Sequence, residues 1–257
     1  MNRLRSGMPR QSQGFSLVEL MVALVVGLLL LAGVLQILLG NRESFNAQRA
    51  IADVQEQGRL ATFFIENVVA HAGHRVNLAA DDEFLFPART TGDGFSLASE
   101  SVVAGTNDPN GNDGLHIRFE SDGNFTACDG SPVGSPTAPA LGEFSFTVSA
   151  NGALECNGTD LTDIDSVARL RVRYGLDTTG EDNVVDAYTD SIANADLQRD
   201  VKSLRIQLLL RSQDNVLPVG SARTFQFADG NNFTTEADDR RAYQLIDQTV
   251  ALRNLLP

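Results

Sequence analysis

Residues 15–39 read FSLVELMVALVVGLLLLAGVLQILL, and strongly polar side chains interrupt the run only at Ser16, Glu19 and Gln36. Wound as a helix at roughly 1.5 Å per residue, these residues reach about 37 Å, enough to cross a hydrocarbon core of about 30 Å with some tilt. The preceding residues 1–14, MNRLRSGMPRQSQG, contain Arg3, Arg5 and Arg10 and no acid. Basic residues on that side predict a cytoplasmic N-terminus, a single membrane pass and the rest of the chain sent outward.

Three kinds of segment share this profile. A secretory signal has an apolar region of about 7 to 15 residues followed by a small-residue cleavage site, and nothing after Leu39 has that form. A lipoprotein signal needs a cysteine close behind the run, whereas the first cysteine is Cys128. A plain anchor remains, but a carboxylate at Glu19 costs about 2.5 to 3.5 kcal/mol in a bilayer centre and calls for a partner.

Gly14-Phe15-Ser16-Leu17-Val18-Glu19-Leu20 resembles the type IV prepilin signature. The resemblance implies that a prepilin peptidase cuts between Gly14 and Phe15 and that the new Phe15 amine is N-methylated. It also implies that Glu19 sets the register between subunits by pairing with a neighbour's Phe15 amine. Residues 1–14 are then a leader peptide and 15–39 a transmembrane and filament-core helix. Loss of three arginines and no acid takes the formal charge from −13 to −16.

Beyond the apolar run, Ala47, Ile51, Val54, Gly58, Ala61, Ile65, Val68 and Ala72 alternate in spacings of four and three. That is one helix face, and Arg49, Gln55, Glu56, Arg59 and Glu66 occupy the other. Residues 40–75 are therefore an amphipathic helix. It is either a coiled-coil seam or, given Gly58 and the alanines, a helix laid closely on a sheet. His71-Ala72-Gly73-His74 supplies the stop.

Residues 76–115 are rich in Gly, Asp, Asn, Thr and Ser, and turns dominate there. Alternating strands follow at 115–119, 144–148, 168–174, 201–212 and 249–253. In the third, Leu170, Val172 and Tyr174 share one face while Arg169, Arg171 and Arg173 share the other. The expected fold is α+β and type IV pilin-like: a long N-terminal helix packed on a C-terminal antiparallel sheet, with residues 76–257 as the β-rich domain.

Residues 111–119 (GNDGLHIRF), 171–177 (RVRYGLD) and 249–254 (TVALRN) look like the PilW-type minor pilin family. That resemblance implies a subunit helping to initiate or cap pilus assembly. Its partners would be other minor pilins, the major pilin, the prepilin peptidase and the inner-membrane assembly platform. A minor pseudopilin of type II secretion shares signature and fold class, and a membrane-anchored periplasmic ligand-binding domain is the reading from another class.

Cys128 and Cys156 both fall in the outward region, where one disulfide is the simplest pairing and two free thiols the alternative. The run 177–186 (DTTGEDNVVD) resembles a degraded calcium loop through Asp177, Glu181 and Asp186, or else an acidic surface turn. His71, His74 and His116 have no ligand spacing with the cysteines. No catalytic, cofactor or phosphate-binding motif is present, so neither an enzyme nor a cofactor is expected. With 20 Lys and Arg against 33 Asp and Glu, the chain is ill-suited to nucleic acid. Its mean hydropathy of −0.10 averages two very different materials.

Overall fold

A computed structural model describes residues 14–78, 81–179 and 182–255. The chain divides into two compact units, Met1–Phe45 and Asn46–Pro257. The first is the N-terminal part of helix α1 (Leu17–His71). Every large apolar side chain from Leu17 to Leu39 is exposed, which in a folded chain marks a surface made for lipid or for other helices.

The second unit begins with the rest of α1. Val54, Gly58, Ala61, Ile65 and Val68 are buried, whereas Ala47 is half-buried and Ile51 is 40% exposed. The sequence stripe therefore becomes a packing face from Val54 onward. It lies on a sheet: a Cβ at Gly58 would meet Ile246 Cδ1 at 2.4 Å and Leu210 Cδ1 at 2.9 Å. Glycine is what permits this approach. The helix stops where Gly73 adopts a positive φ of 72°, and the Gly73 amide donates to the Arg118 carbonyl at 3.1 Å.

After α1 come α2 (Asp82–Leu85) and a small pair, β1 (Arg89–Thr90) with β2 (Ser96–Leu97). Then β3 (Val103–Thr106), β4 (Gly114–Ser121), β5 (Ala140–Val148), β6 (Leu154–Cys156) and β7 (Thr159–Asp160) form an antiparallel meander. Next are β8 (Val167–Leu176), β9 (Ala187–Thr189), α3 (Ala195–Arg199) and β10 (Val201–Arg211). A hairpin, β11 (Thr224–Gln226) with β12 (Asn232–Thr234), precedes β13 (Tyr243–Ala251). The second large sheet, in the order β13-β10-β8-β9, is antiparallel throughout.

The five strands read from the sequence all exist, with two differences. The last runs from Tyr243 to Ala251 rather than from 249 to 253, and Arg253 belongs to a short 3-10 turn, Arg253–Leu255. Gln244 and Gln248 share a face with Ile246 and Val250, which blurs the alternation. There are also two large sheets rather than one. One core joins both to α1, because Ile65, Val68, Phe119, Phe144, Leu170, Val172 and Leu208 belong to a single buried cluster.

Candidate processing and assembly site

Gly14, Phe15 and Ser16 precede α1 in irregular backbone, and Phe15 is 83% exposed. The first helical hydrogen bond runs from the Leu20 amide to the Ser16 carbonyl at 3.1 Å. Ser16 is thus the residue at which the helix begins, and the Gly14–Phe15 bond lies outside it. Glu19 falls in the first turn, where the partial positive charge of the helix start favours a carboxylate. Apart from Gly14, the leader lies outside the described residues. From Leu17 the helix is long and apolar enough to cross a membrane, and its most apolar window has no buried residue.

Cys128 and Cys156 form a disulfide with Cα atoms 5.9 Å apart. It ties the 122–139 loop to β6. In the 177–186 run, Asp186 and Asp177 are held by backbone amides. Asp186 Oδ2 accepts from the Thr178 and Thr179 amides at 2.9 and 2.8 Å and from Thr179 Oγ1 at 2.9 Å. The Thr179 hydroxyl, followed by these amides, holds the Asp186 carboxyl below its ordinary range. Asp177 Oδ2 accepts from the Asn183 amide at 2.7 Å. Glu181 lies outside the described residues. Among those described, no three His, Cys, Asp or Glu side chains are grouped to hold a metal ion.

Two buried arginines that sequence reasoning left on a polar face organise the domain. Arg171 on β8 is 2% exposed. Its Nη1 lies 3.1 Å from Asp113 Oδ1 and its Nε 3.3 Å from Asp229 Oδ2. It also donates to the carbonyls of Asp108 and Pro109 at 2.6 and 2.7 Å. Burial pushes the Asp113 carboxyl up, while the Val172 and Asp108 amides and Arg171 pull it back. Arg118 on β4 is fully buried and spends its guanidinium on carbonyls of Phe86, Pro87, Ala98 and Ser101. Burial lowers it to about 10, so it stays charged at neutral pH and pins the 86–101 segment to the sheet. The available signal was the arginine alternation in 169–173 beside the turn-rich 108–113; nothing local marked Arg118.

The long helix with its bare apolar start, preceded by the Gly14-Phe15 junction, and the antiparallel C-terminal sheets make up a type IV pilin-like fold. Residues 9–35 match the Prokaryotic N-terminal methylation motif, and residues 145–254 match the family described as Type IV Pilus-assembly protein W. Over those two segments the chain is similar to prepilins and to pilins of the PilW type. Among solved structures it is similar to "Type IV-like pilin TTHA1219 from Thermus thermophilus", at 14% identity and a TM-score of 0.48, over 79% of this chain and 97% of that one. No curated protein matched the chain.

Proposed function

We propose that this protein is a minor pilin: a structural, non-enzymatic subunit that helps initiate or cap type IV pilus assembly. It is held in the inner membrane by residues 15–39 with its β-rich domain in the periplasm, and prepilin peptidase cleaves it between Gly14 and Phe15. After N-methylation of Phe15, α1 leaves the lipid and packs among the helices of other minor pilins and the major pilin. The observation that carries this reading is the methylation motif at the start of an apolar helix whose large side chains from Leu17 to Leu39 are exposed. A plain anchor for a ligand-binding domain needs neither that motif nor a membrane carboxylate. The PilW match over residues 145–254 of the β-rich domain favours a pilus over a secretion pseudopilus.

N-terminal sequencing of the mature protein from membranes and from sheared filaments tests this. N-methylphenylalanine at Phe15 in both fractions is expected. An intact Met1 end, or absence from every filament preparation, contradicts it. Deletion should remove surface pili; blocked protein secretion with normal pili would move the protein to the secretion system.

A further inference from the structure

The four-stranded sheet has two outer edges, and they are finished differently. On one side β9 pairs with the end of β8. The 108–113 loop finishes the rest of that edge: the Asp113 amide donates to the Leu170 carbonyl, while Leu170 and Val172 amides donate to Asn112 Oδ1 and Asp113 Oδ2. On the other side, among the described residues, β13 pairs with β10 alone and its outer edge has no strand beside it.

The direction of its backbone groups follows from the bonds that flank it. The Ser212 amide donates to the Ala242 carbonyl, and the Leu252 amide donates to the Lys202 carbonyl. Between these points β13 pairs with β10 without a break in register. In an antiparallel ladder the bonded pairs alternate, so even-numbered residues of β13 bond to β10. The amides and carbonyls of Tyr243, Leu245, Asp247, Thr249 and Ala251 point outward. Among the described residues, no segment or side chain bonds to that row. Strands this exposed are normally guarded by lysine, proline or a bulge. Here none is present, and the acid Asp247 is turned to Arg205 and Gln207 at 2.7 to 2.9 Å. Beside the edge runs an open groove of about 430 Å³, with Ile246 at β13 and Thr62, Phe63 and Glu66 on α1; Phe63 is 59% exposed.

We propose that β13 receives an extended strand from a different pilin-class subunit, with an apolar side chain over Phe63 and a cationic one opposite Asp247. The unpaired row dictates a strand, because only an extended backbone matches alternate donors and acceptors at this spacing. Charge decides against a second copy: full antiparallel overlap of two β13 strands sets Asp247 against Asp247, and like charges directly opposite are unfavourable. The groove wall belongs to the same helix as the exposed apolar segment, which makes a subunit packed on that helix the donor. This donor rests on the pilus reading above.

The test places a photo-reactive phenylalanine analogue at Gln244 of the full-length chain, in cells assembling the filament. The expected product is a cross-link to a protein that itself has an N-methylated N-terminus, mapped to a strand with alternating apolar residues. Thr249→Pro removes one outward amide without touching a bond to β10, and it should lower the yield about tenfold. Phe63→Glu should do the same at an unchanged melting temperature, and it decides the matter if the proline variant fails to fold. Cross-linking to a second copy, to a protein without a pilin N-terminus or to nothing overturns the proposal, as does full yield in both variants. N-methyl-Phe15 in a sample lacking the cross-link rejects the strand alone. An uncleaved N-terminus rejects the pilus reading and this donor with it.

Discussion

At the residue scale, stability rests on a few polar groups taken out of water. Arg171 satisfies two carboxylates and two carbonyls from within the domain. Arg171→Ala leaves Asp113 and Asp229 buried without their cation, and breaking such a pair costs about 3 to 5 kcal/mol. Thermal melting of the detergent-solubilised protein should show a large fall, and a wild-type melting temperature would refute that account. His116 makes a second case. Its Nδ1 meets Ser145 Oγ at 2.9 Å, and burial, aided by Arg118, lowers it from 6.5 to about 4. The unfolded chain therefore takes up the proton first. The stability contributed by keeping this ring neutral is complete above pH 6.5 and is lost as pH falls toward 4, by roughly 2 to 3 kcal/mol at pH 4.5. The urea midpoint should fall less between pH 7 and 4.5 in His116→Gln than in wild type; equal falls would remove His116 from the explanation. Neither role was legible beforehand, because strand alternation reports which face a residue takes and not whether another segment folds over it.

At the element scale, α1 was legible because its partners repeat. The three-four spacing from Val54 to Ala72 presents one face to the sheet, and no competing turn signal breaks it. The burial of Leu170, Val172, Leu204, Ile206, Leu208 and Leu210 was legible for the same reason. β13 was only half legible, since its helix-facing side mixes Gln244 and Gln248 with Ile246 and Val250. The division into two sheets depends on contacts distant in sequence, such as Gly105 beneath Tyr174. A Cβ at Gly105 would lie 1.6 Å from the fully buried Tyr174 hydroxyl. Gly105→Ala should therefore destabilise by about 1 to 3 kcal/mol, measured by urea unfolding, and a neutral result would mean that β3 yields freely. The Cys128–Cys156 bond spans 28 residues, and closing a loop of that size contributes roughly 3 to 4 kcal/mol in the chain-entropy account. Paired Cys128→Ser and Cys156→Ser changes should lower the melting point accordingly, with no change if the loop is already held by β5 and β6.

At the scale of the whole molecule, the large apolar side chains of Leu17–Leu39 are exposed, a surface suited to lipid or to other helices. In lipid, Glu19 can stay near the membrane surface, where water relieves its charge. In a filament core that relief is gone, and the carboxylate needs a counter-charge. We propose that the Phe15 amine of an adjacent subunit supplies it. Pairing removes two isolated charges from an apolar medium, and it is possible only at one axial offset between helices, so the same contact fixes register. The cost of Glu19→Ala then falls on assembly and not on folding, because Glu19 belongs to the N-terminal apolar unit and the buried core is built from Asn46 onward. Leader cleavage, membrane insertion and melting temperature should match wild type, while the amount recovered in sheared filaments should drop at least about tenfold, as expected for an uncompensated buried amine. Glu19→Asp, with a shorter reach, should recover part of the loss. Wild-type incorporation of Glu19→Ala would show that register is set elsewhere along the helix.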